Sequence, residues 1–368
     1  MGQSLVGYGY LPPVSLDPTP APSRRGPALT AALAAALLVL AQACRDEPAD
    51  TPAAPTPPPA EEVRRVNLPV PAFSADSAYA HVARQVGFGP RVPNSEAHAA
   101  ARDYFRRTLE RYGLDVTVQE FPARFFDGAR ATGYNIVASV NPAATRRVFL
   151  SAHYDTRPFA DSELEDEPAR RDEPIDGADD GASGAGVLLE VARLLGEDPP
   201  ADLGVDLVFF DAEDYGKPDG KTQDDVYTWG LGSQHWARQP HVAGYAPEWG
   251  ILLDMVGAEG AVFGRELYSR QYAGGLQNKI WALARRMGRG ERFVDAQVGA
   301  VTDDHFFVNT IAGWPTVDII YKPVSGDPSF GAHWHTHDDD LDVISTETLG
   351  DVGQVVTAVV YKAAGNVL

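Results

Sequence analysis

Hydrophobic and polar positions along the chain follow two rhythms. Over residues 74–85 and 95–112 apolar side chains recur at three- and four-residue intervals, which predicts two helices, the second stopped by Gly113. Residues 115–121, 134–140 and 147–152 predict strands, with Asn141-Pro142 turning the second into the third. Helical spacing returns over 182–195, around 276–287 and over 346–366. Short apolar runs at 205–210, 249–253 and 316–320 lie between these helices and predict buried strands. Strands that alternate with helices and are apolar throughout belong inside a mostly parallel sheet covered on both faces. Three strands in a row ahead of the helix at 182–195 predict one antiparallel edge. The expected fold class is α/β, a three-layer α/β/α sandwich with a mixed, mostly parallel central sheet. In such sheets function gathers where strands end at their carboxyl edge.

The pattern changes ahead of this body. Arg24-Arg25 precede an apolar run from Ala28 to Leu40 and then Ala41-Gln42-Ala43-Cys44, the parts of a secretory leader. The run is shorter than the roughly 20 residues that a spanning helix needs. Cys44 stands where a bacterial lipoprotein carries its lipid, so residues 1–44 resemble a lipoprotein leader. Ala41-Gln42-Ala43 equally suits ordinary cleavage of an exported protein, and a buried Ala-rich helix is a third reading. The 23 residues ahead of Arg24 are long for a leader. Residues 45–72, with prolines at 48, 52, 55, 57, 58 and 59, predict an extended tether. Residues 73–368, without an internal repeat, predict one domain. The expectation is an exported bacterial protein, periplasmic or anchored to the outer membrane, a monomer that meets the membrane only through lipid.

Composition sharpens this picture. Thirty-one Lys and Arg against 51 Asp and Glu give a formal charge of −20, which argues against nucleic acid as a partner. The stretch to Glu62 accounts for only −3, so the body carries −17. Cys44 is the single cysteine, which excludes an internal disulfide and a thiolate metal cluster. A metal here must be held by His and carboxylate.

Those residue types sit at the predicted strand ends. His153-Tyr154-Asp155 follow one strand, Asp211-Ala212-Glu213-Asp214 a second, and Asp254 a third. Gly177-Ala178-Asp179-Asp180-Gly181 opens a helix, and His333-Trp334-His335-Thr336-His337 lies near the end of the chain. A lone His-x-Asp or acidic loop is more often a cap or a solvated surface. Together, so many buried acids would repel one another unless a cation offset them, and the donors suit zinc with an open position.

These segments, in order and spacing, resemble the zinc aminopeptidase family called M28, from about Gly87-Phe88-Gly89-Pro90-Arg91 to the end of the chain. Within it, Tyr134-Asn135-Ile136-Val137, Gly232-Ser233-Gln234-His235, Asp303-Asp304-His305 and Trp334-His335-Thr336 resemble the glutaminyl cyclases, which turn N-terminal glutamine into pyroglutamate. Phe209-Phe210-Asp211-Ala212-Glu213-Asp214 looks most like bacterial cyclases of the animal type. The resemblance implies Asp180, Asp214 and His335 as ligands of one zinc. It implies Glu213 as general acid and base, Asp254 and Asp303 as its hydrogen-bonding neighbours, and Trp334 as a pocket wall. Asp214 stands where animal cyclases carry glutamate, and Asp318 where they carry histidine. Neither change removes a donor.

Two aspartates and one imidazole would leave zinc nearly neutral with a fourth position open. Glu213 among like charges should have a raised pKa, suited to taking a proton from an α-amino group and returning it to departing ammonia. Peptide or protein N-termini are then the substrates. A second reading is a dinuclear aminopeptidase, in which His153 and Asp254 hold a second zinc bridged by Asp180, with Asp155 and Asp318 close behind the metals. A third is a surface binding lipoprotein without catalysis.

Plainer roles are also expected. Trp334 has the makings of core and Asp303 of a helix cap. Tyr227 and Trp229 suit a substrate groove and Trp236 suits packing. His333 suits orienting the pocket, whereas His337 is expected to face solvent. Residues 161–176 are expected to form a solvated acidic excursion.

Overall fold

A computed structural model describes residues 65–218, 222–324 and 330–368. The expected leader, Cys44 and most of the expected tether lie outside the described residues. The body begins with helices α1 (Ala75–Val86) and α2 (Glu96–Arg111), each capped by a serine: Ser74 accepts from Ser77 N–H and Ser95 from His98 N–H. Strands β1 (Asp115–Arg124), β2 (Arg130–Val140) and β3 (Arg147–His153) follow, then α3 (Ala182–Glu197) and β4 (Gly204–Phe210). The second half runs α4 (Gln223–Val226), α5 (Leu231–Arg238), β5 (Gly250–Asp254), β6 (Phe263–Arg265) and α6 (Leu267–Arg286). It ends with β7 (Phe293–Gln297), α7 (Asp304–Phe307), β8 (Thr316–Ile320) and α8 (Thr346–Ala364).

The main sheet has the order β1-β2-β4-β3-β5-β8. Only β2 runs against its neighbours, so the antiparallel edge expected from the sequence is present. Strands β3, β4, β5 and β8 are buried almost throughout, as parallel strands under helices must be. Alternation of side chains splits the core in two. Leu150, Ala152, Leu207 and Phe209 face α1, α3 and α8, while Phe149, Val208 and Phe210 face Trp236 of α5. That is the three-layer sandwich.

Three differences from the sequence reading have local causes. The chain joins the body before residue 73: Val66 N–H donates to the Gly365 carbonyl, and Leu68 and Val70 pack on the core. The last residues of the expected tether therefore lie against the domain, because two apolar side chains find a surface to cover. Helix α6 starts at Leu267, well before the apolar spacing at 276 begins, because Glu266 caps it. The small parallel pair β6 and β7 is too short to register as a period.

From β3 the chain passes through α3 to β4 on one side, whereas β5 lies on the other side of β3. The crevice beyond the carboxyl ends of β3 and β5 is thus the switch point where such sheets bind ligands. Two glycines let α3 approach it. Gly181 has φ +95, and a Cβ there would meet the Asp155 carbonyl at 2.8 Å; at Gly184 a Cβ would meet the Leu253 carbonyl at 2.1 Å.

Candidate active site

Strand ends deliver the expected residues to one place. His153, closing β3, sets Nε2 3.0 Å from Asp180 Oδ1 and 3.2 Å from Asp254 Oδ1 at the end of β5. Asp180 reaches the other way, with Oδ2 3.7 Å from His335 Nε2, and His335 Nε2 lies 3.1 Å from Asp214 Oδ1. Two donor triads result, His153/Asp180/Asp254 and Asp180/Asp214/His335, buried and sharing Asp180. Asp155 holds the next loop in register: its two oxygens accept from the N–H groups of Glu213 and Asp214, each at 3.1 Å. Three non-glycine residues at the site have positive φ: Ala212 before Glu213, Met255 after Asp254, and His335 itself, at 55°, 47° and 55°. Such backbone persists where surrounding contacts over-determine it, and it clusters at functional sites.

Electrostatics follow from burial. Desolvation pushes the Glu213 carboxyl well above the usual range, and Asp303, Asp214 and Asp304 push it further against the pull of His153. Asp254 is raised in the same way, by burial and then by Asp180 and Asp303. Burial and Asp180 lift Asp214 to about 6. Asp180 moves down despite burial, because His153 and His335 face it. Burial alone would lower His335, but Asp214 and Asp161 raise it to about 9.

Several groups differ from expectation. Residues 161–176 are not merely a solvated excursion: Asp161 Oδ1 lies 3.0 Å from His335 Nδ1, and Glu165 is buried against His337. His337 therefore faces Glu165 rather than solvent. In the sequence these acids resemble surface residues because their partners are far away along the chain. Arg157, fully buried, pairs with Asp161 and donates to the carbonyls of Asp214 and Gly216. His333 pairs with Asp179 at 2.9 Å, and Asp339 accepts from the N–H groups of Asp179 and Asp180. Asp211, in the same acidic run as Glu213, is taken by His98 instead. Trp334 packs with Met255, Val301 and Ile320 and stacks on His335 at 3.7 Å between ring centroids. Trp229 lies parallel to His335 at 6.2 Å. Tyr227 touches Phe307, and Trp236 is core. Asp303 caps α7 by accepting from Asp304 N–H, while its Oδ2 has no partner.

The donors fit a zinc ion. His335 is turned by Asp161, which leaves Nε2 aimed at Asp180 and Asp214, the arrangement in which a carboxylate orients a ligating imidazole. Asp214 Oδ2 is buried without a hydrogen-bond partner. Oxygen and imidazole donors, with no thiolate, suit zinc with an open position. No helix among the described residues is long and apolar enough to cross a membrane.

Several proteins of known name or structure are similar to this chain. Bovine glutaminyl-peptide cyclotransferase (Bos taurus) is 27% identical over 303 residues, 74% of this chain and 78% of its own length. The crystal structure of Bacteroides thetaiotaomicron glutaminyl cyclase bound to N-acetylhistamine is 45% identical with a TM-score of 0.76, covering 80% of this chain and 99% of that one. A leucine aminopeptidase precursor from the same species is similar to nearly the same degree: 44% identity, TM-score 0.76, with the same coverage. The profile of peptidase family M28 matches residues 135–360. Since that span includes both triads and Glu213 and exceeds half of the chain, this protein belongs to peptidase family M28.

Proposed function

We propose that this protein is a zinc-dependent glutaminyl-peptide cyclotransferase that converts N-terminal glutamine to pyroglutamate and releases ammonia. The observation that carries the reading is the group of buried acids around Glu213, beside the Asp180/Asp214/His335 triad. Similarity to proteins named for that reaction supports it. One zinc held by Asp180, Asp214 and His335 would supply Lewis-acid polarisation of the γ-amide carbonyl.

The chain's own residues supply the rest. Trp334 and Trp229, flanking His335, would wall the glutamine side chain. Glu213 would take a proton from the α-amino group as its nitrogen bonds to the γ-carbonyl carbon. The bond from that carbon to the amide nitrogen then breaks, and Glu213 returns the proton to the departing ammonia. Asp254 and Asp303 would keep the Glu213 carboxyl protonable near neutral pH. Because nucleophile and carbonyl belong to one residue, orientation lowers much of the barrier.

One observation favours a second reading. The triad His153/Asp180/Asp254 shares Asp180 with the first, which suits two metals and a dinuclear aminopeptidase. The test is to incubate the protein with one peptide beginning in Gln and another beginning in Leu. Ammonia from the first with no cleavage of the second supports the cyclase, whereas free leucine and two tightly held zinc ions overturn it.

Export as a periplasmic or outer-membrane lipoprotein belongs to the same proposal. Its basis is the leader with Cys44, and its test is metabolic lipid labelling of wild type against Cys44→Ala. Monomeric behaviour in solution, measured by light scattering, completes it.

A further inference from the structure

Behind the acids that face Glu213 lies a second buried group whose chemistry the reaction above leaves unused. Glu266 caps α6 and is fully buried. Its carboxylate accepts from Tyr268 N–H (2.8 Å), Ser269 N–H (2.6 Å) and Val301 N–H (3.1 Å), and it meets His305 Nε2 at 3.1 Å. It thus ties the start of α6 to the loop that carries Asp303. Ser269 extends the link, because its hydroxyl accepts from Asp318 N–H at 2.9 Å.

A carboxylate with three N–H donors stays ionised, so the His305 nitrogen facing it must carry a hydrogen. That leaves Nδ1 to the other side, where it lies 3.5 Å from Asp318 Oδ2. Ligand atoms of Asp303, His305 and Asp318 all fall within 4.8 Å of one another. Asp303 Oδ2, His305 Nδ1 and both Asp318 oxygens are buried with no hydrogen bond. Acceptors cannot lie bare at this spacing, since each would incur the desolvation cost of an unpaired polar group. Something must sit between them. His305 and Asp318 are sealed from solvent, at 1% and 0% exposure, so a proton suits the space better than a hydrated cation. Burial, and then the like charge of Asp303, Glu266, Asp254 and Asp304, raises the Asp318 carboxyl and favours holding that proton.

We propose that Glu266 and His305 are positioning residues: Glu266 fixes a hydrogen on His305 Nε2, and His305 Nδ1 shares one proton with Asp318 that keeps Asp303 in place among the acids around Glu213. Glu266 balances the ring, His305 neutralises the far side of the Asp303/Asp318 pair, and neither touches substrate. The inference deepens the cyclase reading and rests on it only for the substrate used.

The test uses the full chain with His305→Gln, Asp318→Asn and the double variant. Expected for each single variant is a fall in kcat of about 10- to 100-fold with KM unchanged and zinc content retained, since misplacement behind a site costs rate more than binding. The double variant should be no slower than the slower single, because both remove the same shared proton. Nitrogen-15 NMR of labelled histidine in the wild type should show His305 with hydrogen on Nε2, a readout that survives if a variant fails to fold. The wild-type assay on Gln- and Leu-peptides decides the cyclase reading separately, and variant ratios are taken on whichever peptide is turned over. If neither is turned over, the NMR result decides. Unchanged kcat in His305→Gln, additive losses in the double variant, a bare Nε2, or loss of a metal equivalent specific to Asp318→Asn would each overturn the proposal.

Discussion

The two ends of strand β4 hold buried carboxylates in opposite conditions. Near its start, Asp206 accepts from Arg147 at 2.6 and 2.9 Å, from Ser139 at 2.6 Å and from Tyr245 at 2.8 Å. Burial would raise its pKa, but His241, Arg147 and Ser139 outweigh that and bring it to about 2. Just past the other end, Glu213 and Asp214 are also buried, yet Asp214 keeps an unpartnered oxygen and both pKa values are pushed up. One end is a closed set of donors and acceptors, and the other is left open. A fold that satisfies Asp206 so completely has the means to satisfy Asp214, so the open end reads as a place for a ligand.

Substitutions at the two ends should separate activity from stability. The largest effect is expected from Glu213→Gln, with turnover of a Gln-peptide lost by about 100-fold or more while zinc content and Tm are kept. His335→Ala should lose turnover and zinc together, measured by metal analysis of the purified variant. At the closed end the order reverses. Asp206→Ala leaves the Arg147 guanidinium unpaired and should cost about 3 kcal/mol in urea unfolding, with turnover per folded molecule unchanged. Asp161→Asn, which loosens His335 without removing a ligand, should weaken zinc binding about 10-fold or more in competition with a chelator.

The smallest expected effect concerns pH. Asp206 is depressed from 3.8 to about 2, so its contribution is present above pH 3.8 and is lost as pH falls through 2. The depression corresponds to about 2 kcal/mol. Unfolding of Asp206→Ala should therefore lose less stability than wild type between pH 4 and 2. Equal losses would mean that the closed end is not closed.

Much of this was legible in the sequence because the relevant patterns are local. Strand apolarity, the helical spacing over 74–85 and 95–112, the motif His153-Tyr154-Asp155 and the acidic pair Glu213-Asp214 after β4 each lie within a few residues of the chain. Asp161, Glu165, Arg157 and Glu266 were not legible. Each looks like an ordinary charged residue until a distant partner is brought to it: His335 to Asp161, His337 to Glu165, the Asp214 carbonyl to Arg157, His305 to Glu266. A hint existed for Arg157, since an arginine placed directly after His153-Tyr154-Asp155-Thr156 is badly located for a surface charge. Glu266 had none.

The sequence by itself determined the α/β class, the strands whose ends matter and the donors that those ends carry, because periodicity and residue chemistry act over short spans. Only the tertiary structure decided that Asp161 orients His335 and which acids remain unpaired. Those are properties of pairs far apart in the chain. Whether a buried carboxylate is satisfied depends on what the fold sets against it, and no property of the residue alone carries that information.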